Sequence, residues 1–451
     1  IFKSIYIMKN ILILLVLSIS IINIKAQCWE RSFTPFVPDP SSFLGPVSQL
    51  RNICFIDDSI GWVAGLDWIP YDAAVCKTVD GGKTWKKLDV GKYAKDFEPY
   101  GLAFSDRDTG WLVGQQHYIL YTINGGDTWD KLVDFSKLGI INHGFANIFL
   151  QNGRTAWLFD NYESLLFNTN DFGNSWNVKK TGFTGESLHI NSKGVGWADN
   201  YFPLVYDKVG LNKTTDSAAT FQHVLNVIGG TSKISFHGDY GVVFNSIGTK
   251  ILTTNDYGNN WDSIRLGPDS LYFKREKFYT GVDKVDSNEI ILCGYNRYNF
   301  IDTIHLEPFL LKSYNNGKTW RKQKLSNTYP HRLVQTKYIH KNFAVAIGDH
   351  NQVYIYRRPP APICDLKILS NDTLKTNELL TWSPASGCIG GYYLSIGTTP
   401  NKKDILDSVD IEDVLHYDIS KLQPNQDLYF TLIPYNDGGV ASSCSYKKLY
   451  L

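Results

Sequence analysis

The chain alternates short apolar runs with clusters of turn-forming residues, and the alternation itself repeats. IGWVAG (60–65) is echoed by TGWLVG (109–114), TAWLFD (155–160), VGWADN (195–200), YGVVFN (240–245), EIILCG (289–294) and FAVAIG (343–348). Each of these seven runs is long enough for one strand and is introduced by a polar turn such as DDS, SDRDT or NSKG. Upstream of each lies another apolar stretch, for example LRNICFI (50–56) and YGLAFS (100–105).

A second pattern follows the first six runs. TVDGGKTW (78–85) recurs as TINGGDTW (122–129), TNDFGNSW (169–176), TNDYGNNW (254–261) and SYNNGKTW (313–320), with a worn copy, TTDSAATF, at 214–221. Asp or Asn stands third in every copy: Asp80, Asn124, Asp171, Asp216, Asp256 and Asn315. Five copies close on Trp85, Trp129, Trp176, Trp261 and Trp320. A carboxylate or amide at such a turn accepts backbone N–H groups. A following Gly supplies positive φ cheaply, and the Trp fills a gap between neighbouring sheets. Ala218 and Phe221 predict that the fourth hairpin is the least regular.

One unit therefore reads strand, tight turn, strand, loop, strand, octet hairpin, strand. Seven such units predict an all-β, seven-bladed β-propeller, whose radial repetition leaves only short protected edges. The seventh unit lacks an octet and ends after VYIYRR (353–358), while CWERSFTPF (28–36) resembles the strand that follows an octet. Its pairing with the seventh unit would close the ring and remove two open edges.

Composition agrees. Aromatics make up 14% of the chain, against a single Met, which suits pleated, half-buried surfaces. Lys plus Arg (45) nearly cancel Asp plus Glu (44), so no net field draws the protein to nucleic acid or an anionic membrane. That Met, Met8, opens MKNILILLVLSISIINIKAQ, read as a secretory signal peptide cut near Ala26 or Gln27. Residues 1–7 are then upstream sequence. The apolar run Ile11–Ile22 is far short of the roughly 20 residues that span a bilayer, so no transmembrane span is expected after cleavage. Gln27 before Cys28 argues against lipidation, because the residue preceding a lipidated cysteine is normally small.

Export permits disulfides. Of Cys28, Cys54, Cys76, Cys293, Cys364, Cys388 and Cys444, Cys54 with Cys76 and two of Cys364, Cys388 and Cys444 are possible pairs. The odd count leaves at least one thiol. No CxxC pair or close His pair suggests a metal, and no metal or cofactor is expected.

The octets fail as phosphate loops, since Gly82-Lys83-Thr84 has the wrong upstream spacing and a strand follows. They fail as calcium loops because each carries one carboxylate or none. Ser/Thr-x-Asp-x-Gly-x-Thr/Ser-Trp resembles the Asp-box (BNR) hairpin of sialidase-like propellers. With the GW-type strands, residues 28–358 look most like the photosystem II stability and assembly factor-like family. That resemblance is specific for fold and unspecific for activity. Sialidases would also bring three Arg gripping a carboxylate, a Tyr–Glu nucleophile pair and an F-R-I-P-like stretch. Here Arg is scarce, Tyr162-Glu163 are neighbours that strand alternation would point apart, and the F-R-I-P-like stretch is absent. Asp-box xyloglucanases place their carboxylates between two propellers, and here there is one.

The octets and the short first-to-second-strand turns share one rim, so the longer loops crowd the opposite rim. Those loops are aromatic-rich, and Trp68, Tyr71, His117, Tyr118, Tyr162, Tyr201, Tyr295 and Tyr298 are the candidate binding residues. Beyond the proline cluster 359–362 the pattern changes. Trp382 in LLTWSPASGC (379–388) and the Leu422-x-Pro424…Leu428-Tyr429-Phe430 spacing resemble a fibronectin type III domain over 363–451, which implies a two-sheet sandwich.

The expected organisation is a signal region (1–27), propeller (28–358), linker (359–362) and sandwich (363–451). The expected protein is a secreted or cell-surface, non-enzymatic binding, adhesion or assembly protein with a protein or glycan ligand. A carbohydrate-active hydrolase at the open face is the alternative.

Overall fold

The computed structural model describes residues 29–36, 49–68, 71–93, 97–115, 118–134, 144–160, 163–200, 210–226, 232–245, 250–266, 275–300, 303–325, 332–359, 362, 365–375, 377–386, 388–436, 438–441 and 445–451. The expected signal region lies outside them. Two compact units separate, one spanning Trp29–Arg357 and the other containing Arg358–Leu451.

In the larger unit, β1 is Trp29–Phe33, and a first sheet joins β2 (Gln49–Phe55), β3 (Gly61–Trp68), β4 (Tyr71–Thr78) and β5 (Lys86–Leu88). A second joins β6 (Pro99–Phe104), β7 (Gly110–Gly114), β8 (Tyr118–Thr122) and β9 (Asp130–Asp134). The third holds β10 (Phe145–Leu150), β11 (Ala156–Asp160), β12 (Leu165–Thr169) and β13 (Asn177–Lys180). The fourth holds β14 (Leu188–Ile190), β15 (Gly196–Asn200), β16 (Gly210–Thr214) and β17 (Gln222–Asn226). Next come β18 (Ser232–His237), β19 (Tyr240–Asn245), β20 (Lys250–Thr254) and β21 (Asp262–Arg265). The sixth sheet is β22 (Arg275–Lys284), β23 (Ile290–Phe300), β24 (Thr303–Ser313) and β25 (Arg321–Lys322). The last has β26 (Leu333–His340), β27 (Phe343–Gly348) and β28 (Gln352–Arg357), and its fourth strand is β1. β1 pairs antiparallel with β28, Trp29 opposite Tyr356 and Phe33 opposite Gln352. The N-terminal strand thus covers what would be an open edge.

The octets make one hydrogen-bond pattern throughout. In the first, the Thr78 hydroxyl donates to Asp80 Oδ1 (2.8 Å) and accepts the Gly82 N–H (2.8 Å), while Asp80 Oδ1 accepts the Thr84 N–H (2.9 Å). The carboxylate therefore reaches four residues onward. Hydrogen bonds from the Ser175 hydroxyl and amide hold Asp171 down at about 2. The worn copy keeps the pattern, since Thr214 Oγ1 accepts the Ala218 N–H (2.9 Å) and Asp216 Oδ1 the Thr220 N–H (2.9 Å). Its expected irregularity is absent because Ala218 adopts φ +62° itself. Position four also has positive φ, although Phe172, Ser217, Tyr257 and Asn316 fill it.

Each octet is tied to the first-to-second-strand turn of its own sheet, as in Gly81 N–H to Ser59 O and Gly125 N–H to Asp108 O, both 2.8 Å. The octets and those turns therefore share one rim. Between sheets, the mortar is the GW tryptophan as much as the octet tryptophan. Trp62 donates from Nε1 to Gly125 O (2.9 Å) and Trp197 to Tyr257 O (3.0 Å), each reaching the octet of the following sheet. Trp62 also stacks on Phe104 at 3.6 Å, and Trp197 meets Trp261 edge-on at 5.4 Å. A Cβ on Gly258 would lie 2.4 Å from the Trp197 ring, so only glycine allows this approach. Full burial of Trp62 makes its truncation to Ala worth about 3–5 kcal/mol.

Cys54 and Cys76 are free thiols, which corrects the possible pairing. Cys54 faces Trp62 of β3, and Cys76 faces Val63 from β3's other side. Two strand spacings of about 4.8 Å exceed the Cα separation that a disulfide spans.

The smaller unit pairs β29 (Leu379–Thr381) with β32 (His416–Asp418). Its larger sheet holds β30 (Gly391–Gly397), β31 (Leu406–Asp410), β33 (Asp427–Asn436), β34 (Gly439–Val440) and β35 (Ser445–Tyr450). Leu428, Phe430 and Leu432 alternate inward along β33 onto Trp382, Tyr392 and Leu394. Cys388 is disulfide-bonded.

Candidate functional site

The first strand of every sheet in the larger unit, β2, β6, β10, β14, β18, β22 and β26, lines a single cavity of about 920 Å³. Alternation explains the lining. In β18, the polar Lys233, Ser235 and His237 line the cavity, with Ile234 and the buried Phe236 contributing between them. Volumes of this order hold a ligand, not only water.

Strand direction gives the channel two ends. Residues near the strand starts, Arg51, Tyr100, Glu186, Lys233 and Arg332, form the mouth, joined by Tyr295 and Asp349. Residues near the strand ends, Cys54, His189, His237 and Asp283, with Lys337, form the octet-side floor.

At the mouth, charges are mixed and mostly paired. Arg51 bonds Glu98, which also accepts Gln115 Nε2 (2.6 Å). Arg332 Nε meets Asp349 Oδ2 at 2.7 Å. Lys233 Nζ donates to Thr280 O at 3.1 Å. Burial in the channel wall raises the Glu186 carboxyl, with Lys233 opposing. Behind it, Asp199 is wholly buried at a position where equivalent strands carry Ala64, Val113 or Phe159. Asp199 Oδ1 accepts the N–H groups of Glu186 (2.8 Å) and Ser187 (2.6 Å), while Oδ2 has no partner. Burial, and then Glu186, raise its pKa well above the usual carboxylate range, and Asp199 braces the wall from behind through those two N–H groups.

At the floor, Asp283 accepts the Ser235 hydroxyl (2.6 Å), His237 Nε2 (3.1 Å) and the N–H groups of Tyr338 and Lys284 (both 2.8 Å). One carboxylate therefore ties β18, β22 and β26 together. Burial alone would lower His237, but Asp283 raises it on balance. His189 sits between Phe149 and Phe236, each 5.1 Å away. Burial, with His237 and Lys337 adding to it, drives His189 down to about 4, so it is neutral near pH 7.

A glycosidase needs two carboxyls separated by substrate or water. Asp283 is consumed by four donors, Asp349 is paired, and Asp199 is sealed behind Glu186. Among the described residues lining the cavity, Glu186 alone offers an uncommitted carboxyl.

The sequence-predicted aromatics are placed unevenly. Tyr295 lines the channel and stacks on Phe278 at 5.0 Å. Tyr118 is half-buried away from it, beneath Lys131 Nζ at 3.5 Å from its ring. Trp68 and Tyr71 face each other in register at the β3–β4 tip. Tyr298 stands opposite Arg275 and His305. His117, Tyr162 and Tyr201 lie outside the described residues. Sequence reasoning missed Glu186, His189, Lys233, His237 and Lys337. Their signal was polar residues alternating with apolar ones in the first strands, as in SKISFH (232–237).

Residues 87–235 match the family described as Photosynthesis system II assembly factor YCF48. Over 115 residues the chain is 30% identical to the photosystem II stability/assembly factor HCF136 of Arabidopsis thaliana, covering 24% of this chain and 25% of that one. It is 25% identical over 147 residues to the photosystem II assembly lipoprotein Ycf48 of a Synechococcus strain, covering 32% and 41%. The chain thus spans well under half the length of these curated relatives. Among solved structures, one titled "YCF48 bound to D1 peptide" superposes with a TM-score of 0.55 at 18% identity, covering 74% of this chain and 98% of that one. Sheets, octets and these likenesses together make this protein a BNR-type β-propeller similar to photosystem II assembly factors.

Proposed function

We propose that the protein is a seven-bladed propeller that binds a protein or peptide partner outside the cytoplasm and serves in adhesion or assembly. The observation that carries this reading is the channel of about 920 Å³, lined at its mouth by Tyr100, Tyr295, Lys233 and Glu186. The related fold that holds a peptide in its solved structure supports it. Trp68, Tyr71 and Tyr298, with His117, Tyr162 and Tyr201 from the sequence, are further candidate contacts. The Cys388 disulfide suits an oxidising compartment. The smaller unit reads as a fibronectin type III-like sandwich used as a spacer or adhesive module.

The test is a peptide library displayed against the full chain, with a glycan array and chromogenic glycosides beside it. Selected peptides should lose binding to a Lys233→Ala/Tyr295→Ala variant. Turnover of a glycoside that depends on Glu186 would replace this reading with the hydrolase alternative.

A further inference from the structure

The smaller unit has a sheet face that its own core does not use. Along β33, Leu428, Phe430 and Leu432 point into the core, so the alternate positions Tyr429, Thr431 and Ile433 point out. On the neighbouring β35, Leu449 is buried in that core, so Tyr446, Lys448 and Tyr450 point out with them. Tyr446 and Tyr450 are 44% and 46% exposed, and no other tyrosine among the described residues is as open. The register sets Tyr446 beside Thr431 and Lys448 beside Tyr429. The Tyr429 and Tyr446 rings stack with centroids 5.7 Å apart and planes 21° from parallel.

Charge and area narrow the occupant. The Lys448 ammonium is matched by Asp427 at 2.8 Å, so the face holds no unbalanced charge to draw an anionic or cationic partner. Three strands, β30, β33 and β35, spaced about 4.8 Å apart and carrying outward positions over about 20 Å, give a face of roughly 300 Å². Each partner of a stable protein complex commits about 800 Å², so a second protein surface is too large a match. Strand addition beside β35 is obstructed at its Tyr450 end. There the Tyr450 carbonyl accepts the Leu374 N–H (2.9 Å), and the Tyr450 N–H donates to Asp372 O (2.8 Å).

A small, uncharged, ring-bearing face suits a sugar chain. The C–H groups on one side of a pyranose carry partial positive charge and meet the negative face of an aromatic ring. The sugar hydroxyls need donors and acceptors at the ring margins, which the phenols and Thr431 supply. Tyr446 and Tyr450 stand four residues apart on one strand, about 14 Å, further than one sugar ring reaches, so only an oligosaccharide touches both. We propose that the outer face of β33 and β35 binds a neutral oligosaccharide stacked on Tyr446 and Tyr450. This rests on the adhesive reading of the smaller unit, names its ligand class and is independent of the channel.

The experiment titrates the full chain calorimetrically at pH 7 with cellohexaose, laminarihexaose and mannohexaose in separate arms, which tell one sugar or linkage from another. Glucose and the anionic trigalacturonate are the controls. Saturable binding of at least one neutral hexamer is expected. Tyr446→Ala/Tyr450→Ala should weaken it about tenfold or more, as the loss of two ring contacts requires. Tyr446→Phe/Tyr450→Phe, which keeps the rings, should hold it within about threefold. Both positions are exposed, and circular dichroism verifies that the variants fold. Lys233→Ala/Tyr295→Ala at the channel should leave hexamer binding unchanged. Absence of saturation by every hexamer up to about 10 mM, equal binding of glucose or trigalacturonate, or an unchanged response in folded Tyr446→Ala/Tyr450→Ala overturns the proposal. Loss of hexamer binding in Lys233→Ala/Tyr295→Ala, or a dimer that Tyr446→Ala/Tyr450→Ala dissolves, overturns it too. None of these failures bears on peptide capture at the channel, which its own variants judge.

Discussion

Replacing Asp283 with Asn probes how much of the larger unit hangs on one buried carboxylate. Asp283 is 1% exposed and accepts four donors. Two of those donors are backbone N–H groups of Lys284 and Tyr338, which cannot turn away. An amide keeps one acceptor oxygen and presents NH2 to donors on its other side. It also leaves His237 without its anionic partner. Breaking such a buried, charge-assisted network by changing one member costs about 3–5 kcal/mol. With an unfolding entropy of roughly 2.1 cal/mol/K per residue over about 330 residues, that cost lowers the melting temperature by roughly 4–7 °C. Ser235→Ala, which removes one neutral donor, should cost about 1 kcal/mol. Calorimetry at pH 6 on the wild type and both variants measures the difference. An Asp283→Asn shift no larger than that of Ser235→Ala would refute the view that this carboxylate clamps three first strands.

Further outcomes follow from the same geometry. His237 is raised above its ordinary value near 6.5, so its stabilisation is complete below that pH and is lost as pH rises through the folded midpoint. His237→Gln should flatten this alkaline limb in a pH series of melting curves. His189, depressed to about 4, does the reverse: stability falls between about pH 6.5 and 4 by on the order of 3 kcal/mol, and His189→Phe should remove that loss. Thr254→Val leaves the buried Gly258 N–H without its acceptor at 2.8 Å and should cost about 1–3 kcal/mol by denaturant titration. Cys76 and Cys293 are buried thiols pushed up by burial, Cys293 to about 12. Thiol-specific reagents should label them only after unfolding.

The scaffold was legible because its determinants are local and repeated. Octets, GW strands and turns each carry their own backbone logic, so seven copies reinforce one another, and even Trp29–Phe33 could be read as a borrowed fourth strand. The site was far less legible. Lys233, His237 and Lys337 look like ordinary alternating polar residues until the first strands converge around one cavity, and sequence spacing says nothing about neighbours 50 or more positions apart. Asp199 was hidden in another way, since nothing in an acid within the GWADN run marks it as occupying a core position. Conversely, Tyr118 stood out by type but packs beneath Lys131, away from the channel. The role of Trp62 and Trp197 as inter-sheet staples was also hidden, because their partners Gly125 and Tyr257 belong to the next unit's octet.

The claim that recognition happens at the channel, not on the octet rim, is tested most directly by hydrogen–deuterium exchange of the full chain with and without a display-selected peptide. Protection concentrated in the starts of β2, β6, β14, β18 and β26 and in the loops around the mouth is the predicted footprint. Protection confined to the octet hairpins or to the 363–451 unit would contradict it.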